Sequence, residues 1–551
     1  MVEKKPPETA AEARKKRVLI LGAGVMQGPA IRCAAEMGLE TVVIDADPRA
    51  PLAAEADRFE PVDLKDIRAI ENLARRIQAE GGLDAVMTAG TDFSASVAWT
   101  AEKLGLPGIP YERALDASDK ERMRRRFREA GLPSPDFRIL RDPPEDAPAF
   151  SFPVVVKPVD NMGARGCRRV DGPAGLREAV ETALVFSRSR RVIVEEYMEG
   201  PEFSLDALIY RGEVTICGVA DRHIFFPPYF IEMGHTMPSA ASRADRDAVT
   251  GLFIRGIRAL GIDNGAAKGD IKLTPRGPMI GEIAARLSGG YMSGWTYPYA
   301  SGVNPVRGAL SIALGLPPEG LAPRRNWTSA ERAFISIPGL VKSVEGLDQA
   351  RSLPAVRDLF LRAAPGQRLS FPENNVSKAG SVVSANPRRE TALRAAEKGA
   401  RAVLIRLAAP DPETAAFLAS PVCPGAEDIF PPPAYTLDMA LFNRLSALPP
   451  ADSSVFSEAS GAAAGFCIVP FPALTGSDLR DYGGRTPGET LEAVRKLSGL
   501  ALPEAAARPP EERAGKILLG REFWTALVRG GYQGALYYLD CLRPVRDGGG
   551  P

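Results

Sequence analysis

The stretch KGDIKLTPRGPMIGEIAARLSGG, residues 268–290, carries the side chains best spaced for chemistry. Two short β-like runs, Asp270–Thr274 and Met279–Ile283, flank a Pro275-Arg276-Gly277 turn. A hairpin centred on Arg276 sets Asp270 opposite Glu282, because the two are equidistant from the turn. Cross-strand neighbours sit about 5 Å apart, and like charges in that position repel. Two facing carboxylates are tolerated if they share a proton or a cation. Mg²⁺ bound by one or two carboxylates plus substrate phosphates is a common arrangement. Arg286 adds a fixed positive charge beside the pair. Taken alone, the hairpin reads equally well as a solvent-exposed turn with scattered charges.

Three more segments carry groups suited to a nucleotide. In VVVKPVDNMGARG, Lys157 ends an apolar strand and a loop with Gly163 and Gly166 follows. Glycines let backbone N–H groups approach oxygens and lysine supplies a point charge, which suits phosphate. A surface hairpin with a snorkelling lysine is the plain alternative. In RVIVEEYMEGPEFSLD, an apolar strand runs into Glu195-Glu196-Tyr197-Met198, then a Gly200-Pro201 turn, then Glu202. Backbone groups at such an exit can pair with a purine edge, and a nearby carboxylate can accept from ribose hydroxyls. An edge strand with solvated acids would look the same. In SDKERMRRRFREAGLPSP, Ser118 is placed to cap a helix, Glu121 to complete a capping box, and Gly131 with Pro133 to end it. Lys120 then falls in the first turn, where the helix dipole disfavours a cation. Such local conflicts tend to mark function.

A rival nucleotide site lies near the N-terminus. Gly22-Ala-Gly24-Val-Met-Gln-Gly28 follows a strand, and Asp45 ends the next one. The third glycine of a dinucleotide fingerprint is displaced, and Gln27 occupies its place. A tight turn that packs the first helix is the stronger reading, with NAD or FAD binding the weaker one.

These groups need elements to hold them. From Arg17 the pattern is strand, Gly-rich turn, helix, strand. A helix around 66–80, a strand Asp84–Thr88 and a helix around 93–104 continue it. That alternation predicts an α/β, doubly wound parallel sheet over residues 17–112, after a flexible tail at 1–16. Strand and helix alternate again through 152–210, a helix spans about 246–260, and a helical stretch runs over 303–315. Residues 331–408 read as a mixed α/β lobe ending in the helix 388–400 and the strand RAVLIRL. After Pro410 the chain is rich in proline and turn residues. Thr486-Pro487-Gly488-Glu489 starts a helix, and residues 521–542 form an aromatic-rich helical segment broken at Gly530-Gly531.

The bulk numbers narrow the classes. The 551 residues suffice for about three to five domains. Lys+Arg number 69 against 68 Asp+Glu, a net charge of +1, which offers no global field for nucleic acid or an anionic membrane. No apolar run is long enough to span a bilayer. The N-terminus is charged and lacks the apolar core of a secretory signal. Six scattered cysteines without a CxxC pair argue against a zinc cluster or disulfide framework and for a reducing, cytoplasmic setting.

Lys120, Lys157 with its glycine loop, the Glu195–Glu202 segment, then Asp270, Glu282 and Arg286 occur in an order that resembles the ATP-grasp superfamily over about residues 17–408. The resemblance implies an ATP-grasp fold: a Rossmann-like N-terminal domain at 17–112, a two-lobed ATP-binding core at 113–330 with a mobile lid at about 135–195, and a small C-terminal α/β lobe at 331–408. Residues 409–551 resemble nothing known and are open to dimerisation, cover of the acceptor pocket, or a partner. By resemblance, Lys120 and Lys157 contact the α- and β-phosphates of ATP, and Gly163-Ala164-Arg165-Gly166 closes over the β- and γ-phosphates. Glu195 and the backbone of Glu196, Tyr197 and Met198 hold adenine, and Glu202 the ribose. Asp270 and Glu282 bind Mg²⁺, with Mn²⁺ as an alternative. Arg286 stabilises an acyl-phosphate and its tetrahedral intermediate, and Ser288-Gly289-Gly290 line the acceptor pocket. One departure stands out: Ala284 occupies the position where the superfamily often has a metal-binding Asn.

The segment Phe230-Ile-Glu232-Met-Gly-His235-Thr-Met-Pro238-Ser239 resembles the G-H-x-x-P-S segment of carboxylate–amine ligases in that superfamily, L-amino acid ligases included. It implies that Glu232 holds an ammonium group and His235 a carboxylate or phosphate. Asp221-Arg222-His223 is a further candidate for the same wall. The implied activity is ATP-dependent joining of a small-molecule carboxylate to an amine through an acyl-phosphate. Rivals are a phosphoribosylglycinamide-synthetase-like ligase, an acid–thiol ligase, a nucleotide-binding module without turnover and an NAD-linked oxidoreductase.

Overall fold

The computed structural model describes residues 14–145, 151–425, 429–451, 465–504 and 516–543. Residues 1–13 of the expected tail lie outside that set. Arg14 is tied down by Asp84 at 2.7 Å. The chain divides into two compact units. The first holds residues up to Met162 with Ser187–Arg222 and His235–Ser329; the second holds Gly163–Phe186, His223–Gly234 and Ala330 onward.

In the first unit, strands Arg58–Pro61, Glu40–Asp45, Arg17–Leu21 and Ala85–Met87 lie side by side in that order, all parallel. Alternate residues of single strands enter two different cores. Val18, Ile20 and Val43 pack with Ala30 and Ile31, while Leu19, Leu21, Val42 and Ile44 pack with Ile70, Leu73 and Ile77. Period-2 side chains buried on both faces are the signature of a doubly wound sheet, as the sequence pattern predicts.

Strands Phe137–Leu140 and Val154–Pro158 both pair antiparallel with Val192–Glu196. Strands Gly277–Ala284, Gly265–Thr274 and Glu202–Tyr210 form an antiparallel ladder, continued by the strand that starts at Glu213. One face of this ladder is apolar. Phe203, Leu205, Ala207 and Ile271 pack there on Phe127 of helix Lys120–Glu129 and on Phe253 and Ile257 of helix Arg243–Ala259. Helix Lys120–Glu129 differs from expectation at its start. Ser118 ends the preceding helix, and Asp119 is the cap, accepting from Arg122 N–H at 3.0 Å.

In the second unit, strands Gly380–Asn386 and Val356–Leu361 pair antiparallel, as do Gly339–Glu345 and Leu404–Leu407. Residues beyond 408 belong to the same unit. Tyr435, Leu474, Val494, Phe523, Trp524 and Leu527 form a core with Leu404. Thr486 caps helix Pro487–Ser498 with the expected capping box to Glu489. The helical segment Arg521–Cys541 breaks at Gly531. Among the described residues no helix is long and apolar enough to cross a membrane.

Candidate active site

The face of the ladder opposite the apolar core carries the charge. Strand alternation puts Glu202, Ser204 and Asp206 there. Pairing sets Lys272, Asp270 and Lys268 beside them on one flank, and Arg222, Ala220 and Gly218 on the other. Asp270 faces Glu282. From Thr274↔Gly277 the hairpin runs in step to Ile271↔Ile280; Gly281 is then skipped, and pairing resumes at Asp270↔Glu282. Without that one-residue bulge, Asp270 would meet Gly281 and Glu282 would turn to the other face. A Cβ at position 281 would stand 3.0 Å from Asp270 O, so the bulge favours glycine. Arg124 Nη2 holds the Gly281 carbonyl at 2.5 Å.

The two carboxylates sit in a field of cations. Asp270 accepts from Ser204 Oγ at 2.8 Å, lies 3.1 Å from Arg222 Nη1, and pairs with Lys268. Lys120 Nζ stands 3.5 Å from Glu282 and donates to Asn161 O at 2.8 Å. That explains why a lysine opens this helix against its dipole. Burial by itself would raise the Glu282 carboxyl, but Lys120, Lys268, Lys157 and Arg286 hold it far below the usual carboxylate range. Burial likewise opposes ionisation of Asp270, and Arg222 with Lys268 outweighs it. Two ionised hard-oxygen donors facing each other fit Mg²⁺ or Mn²⁺. Among the described residues no group of three metal-binding side chains occurs. Mg²⁺ is commonly held by one or two carboxylates beside substrate phosphates. Ala284, buried next to the pair, offers no oxygen.

Lys157 and Glu195 lie diagonally across paired strands, 2.6 Å apart. Arg124 adds a second cation at 2.8 Å, and the Glu195 side chain is only 3% exposed. Desolvation is overcome by Arg124 and Lys157, which keep Glu195 ionised. The carboxylate so placed fixes the Lys157 ammonium group and the Arg124 guanidinium. Of its neighbours, Glu196 N–H donates to Asp136 O and Tyr197 N–H to Pro153 O. Met198 O accepts from Lys272 Nζ at 3.0 Å, and Glu196 pairs with Arg276. Glu202 pairs with Arg222 and lies 3.7 Å from Lys272.

Arg286 follows directly on the hairpin, its Nη1 bonded to Leu287 O at 3.1 Å. Ser288 gives both its N–H and its Oγ–H to Asp206 Oδ1, at 2.9 and 2.8 Å. Asp206 is fully buried, and its Oδ2 has no hydrogen-bond partner among the described residues. Burial pushes this carboxyl up to about 6, and the Ser288 bonds with Lys268 and Arg286 offset only part of that. Gly289 lies against Gly90, and Gly290 and Tyr291 both turn through positive φ before a π-helical turn at Met292–Thr296. His235 is buried in the same unit. Asp221 binds Ser239 Oγ at 2.5 Å and so tethers the end of the histidine segment.

The first unit thus gathers Lys120, Lys157, Glu195–Met198, Glu202, His235, Asp270, Glu282, Arg286 and Ser288–Gly290. Gly163–Gly166 and Glu232 belong to the second unit. There Gly163 O accepts from Asn375 N–H at 3.0 Å. Asn375 Oδ1 takes Glu232 N–H at 2.8 Å, and Lys378 Nζ donates to Glu232 O at 2.6 Å. Sequence reasoning passed over Arg124, Ser204, Asp206, Lys268, Asn375 and Lys378, and gave Arg222 only a minor place. The period-2 spacing of Glu202, Ser204 and Asp206 in EFSLD was the one signal available for any of them.

The Gly22–Gly28 turn is filled from within. Gln27 donates to Ala89 O at 2.6 Å and accepts from Gly24 N–H at 3.1 Å. A Cβ at Gly22 would fall 2.8 Å from Gln27 Cδ, so the glutamine occupies the space above the turn. Asp45 is spent on Ala23 N–H at 2.9 Å and Asp47 N–H at 3.1 Å. Packing, not a dinucleotide, accounts for this motif.

Comparison with known proteins agrees with the geometry. Residues 31–108 match the ATP-grasp N-terminal domain family, 150–294 the ATP-grasp domain, and 333–408 the L-amino acid ligase C-terminal domain 2. The chain is 25% identical over 400 residues to the uncharacterized protein y4rH of Sinorhizobium fredii, covering 70% of this chain and 82% of that protein. It is 29% identical over 402 residues to carnosine synthase 1 of Gallus gallus, covering 66% of this chain but only 43% of that enzyme. The crystal structure of L-amino acid ligase from Bacillus licheniformis superposes with a TM-score of 0.64 at 22% identity, over 72% of this chain and all of that one.

Proposed function

We propose that this chain, a member of the ATP-grasp superfamily, is an ATP-dependent ligase that joins a small-molecule carboxylate to an amine, with an amino acid as one substrate. The observation that carries the reading is the charged face of the ladder. It holds two ionised carboxylates for one divalent cation, ringed by Lys120, Lys157, Lys268, Arg222 and Arg286. Phosphoryl transfer needs positioning and neutralisation of spread negative charge more than a protein nucleophile. The names of the ligases matched above support the reading.

Asp270 and Glu282 would hold Mg²⁺, which would supply positive charge to neutralise the phosphates as negative charge develops. Lys120 and Lys157, each fixed by a carboxylate, direct their ammonium groups at the phosphates. The substrate carboxylate oxygen attacks the γ-phosphorus, the bond to the β-phosphate bridging oxygen breaks, and ADP leaves. Arg286 faces the resulting acyl-phosphate. The amine then attacks the carbonyl carbon after losing a proton, and phosphate departs as the amide forms. Asp206 fixes the Ser288 end of the acceptor loop through its two bonds. His235, buried in the same unit as the carboxylate pair, binds a charged group of the substrate. The six cysteines, none of them in a disulfide, support a reducing cytoplasmic setting.

The test is ADP formation across a panel of acids and amines, amino acid pairs first. The reading predicts turnover that needs both partners. Because Ala284 withholds a metal ligand, a module that binds ATP–Mg²⁺ without turnover is the second reading. Tight binding with no ADP on any pair would select it.

A further inference from the structure

The second unit holds a cavity of about 340 Å³ lined wholly by its own residues. That volume falls at the small end of small-molecule pockets. Strand residues such as Met233, Arg332 and Phe334 form part of its lining, and the C-terminal extension supplies Asp481, Tyr482, Arg485 and Tyr532. The extension is therefore what completes the cavity.

Three independent features converge on it. First, the long helical segment Arg521–Cys541 breaks at Gly531, with φ 60° and ψ −145°, and Gly530 and Gly531 both line the cavity. An interruption inside a buried helix sacrifices backbone hydrogen bonds, and strain of that kind concentrates at binding sites. The positive φ at Gly531 favours glycine, and its Cα side faces Asp481 Oδ2, which a Cβ there would approach to 3.6 Å.

Second, Asp481 is a buried acid, its side chain 4% exposed. Its Oδ1 is well served by Gly483 N–H at 2.9 Å and Arg485 N–H at 2.8 Å. Its Oδ2 has only long contacts, 3.5 Å to Thr490 Oγ1 and 3.8 Å to Arg485 Nη1. Arg485 is committed elsewhere, to Arg401 O and to the face of the Tyr532 ring. Desolvation raises the Asp481 carboxyl by more than the Arg485 charge and the backbone N–H bonds lower it.

Third, the walls are sorted by chemistry. Tyr482 spends its hydroxyl on Pro432 O at 2.6 Å, and the Tyr532 oxygen accepts from Ile405 N–H at 2.9 Å. Gln533 spends its amide on Ser336, Ile337 and Ile405. These residues are left to present ring and aliphatic surface, joined by Phe226, Met233 and Phe334. His223 and Arg332 bring positive or donor character from the strands, and Glu397 and Asp481 bring negative character from the helical side. An apolar cavity with both an acid and a guanidinium in its lining is complementary to a zwitterion.

We propose that this cavity is a second ligand site for a free amino acid or short peptide with an aromatic or aliphatic side chain, its ammonium group on Asp481 and its carboxylate on Arg332. The cavity lies wholly within the second unit, and its occupancy does not depend on the ligase reading. Isothermal titration of the full chain with L-phenylalanine, without ATP, tests it; a failure there leaves the ADP-formation result untouched. The expected result is saturable binding, at least tenfold weaker for 3-phenylpropionate and for phenethylamine, each of which lacks one charge. Asp481→Asn should weaken binding at least tenfold. Ala400→Phe, which fills the cavity from a partly exposed helix position, should abolish it with ATP–Mg²⁺ binding unchanged. The proposal is overturned by no saturable binding, by singly charged analogues binding equally well, or by binding that survives in both variants.

Discussion

The glycine turn at Gly22–Gly28 and the hairpin at Asp270–Glu282 both look like nucleotide sites in the sequence, and the fold treats them in opposite ways. The turn is closed by its own chain: Gln27 fills it and Asp45 is consumed holding it. The hairpin is held by groups from elsewhere. Helix Lys120–Glu129 contributes Lys120 and Arg124, and the neighbouring strands contribute Ser204 and Arg222, beside Lys268 of the hairpin's own strand. Glycine spacing reports only that a backbone bends. What decides a ligand site is whether the polar groups around the bend are satisfied by the protein or arranged for something else.

The largest effect should come from Glu282→Gln. Removing half of the facing carboxylate pair should lower ADP formation at least about a thousandfold, with an unchanged circular dichroism spectrum; full activity would make the hairpin as inert as the turn. Next, Arg286→Ala should cut kcat by about a hundredfold or more while ATP affinity stays within a few fold. Equal losses in both would contradict a role confined to the reacting centre. Gly281→Val attacks register instead of charge. It should destabilise the protein by about 1–3 kcal/mol and lower turnover roughly tenfold or more as Glu282 leaves its place, read from melting curves and ADP release.

A smaller effect is expected at Asp206. Its folded carboxyl, at about 6, lies above the unfolded value, so the native state binds the proton more tightly. Stability of the metal-free protein should therefore rise as pH falls from about 6 to about 4, and Asp206→Asn should remove that increment. Asp270, Glu282 and Glu195 carry the opposite sign, because their lowered values stabilise the fold above the carboxylate range and are lost in acid. The smallest functional effect belongs to Gln27→Gly. It restores the third glycine yet should leave ATP turnover within about twofold and confer no NAD binding by equilibrium dialysis; NAD retention would reverse the comparison.

Much of this was legible in the chain. Alternating apolar runs predicted the doubly wound sheet, because strands buried on both faces leave a strong local pattern. Lys120, Lys157, Asp270, Glu282 and Arg286 could be singled out because each sits beside a turn, strand end or cap that a sequence reveals. The facing of Asp270 and Glu282 came out as expected, but a bulge at Gly281 produces it, and bulges leave little trace in composition. Arg222 and Arg124 owe their roles to strand register and helix packing, which are non-local. Ser118 was mistaken for a cap because Asp119, next in line, caps equally well. The convergence of Arg124 and Lys157 on Glu195 likewise leaves no local signal.

The central claim is that a carboxylate attacks ATP on the charged face of the ladder. Once an active acid and amine pair is known, turnover with the acid's carboxylate labelled with oxygen-18 tests that claim directly. An acyl-phosphate route predicts one labelled oxygen in each phosphate released, and no transfer in Glu282→Gln. Phosphate that carries no label while amide accumulates would contradict it.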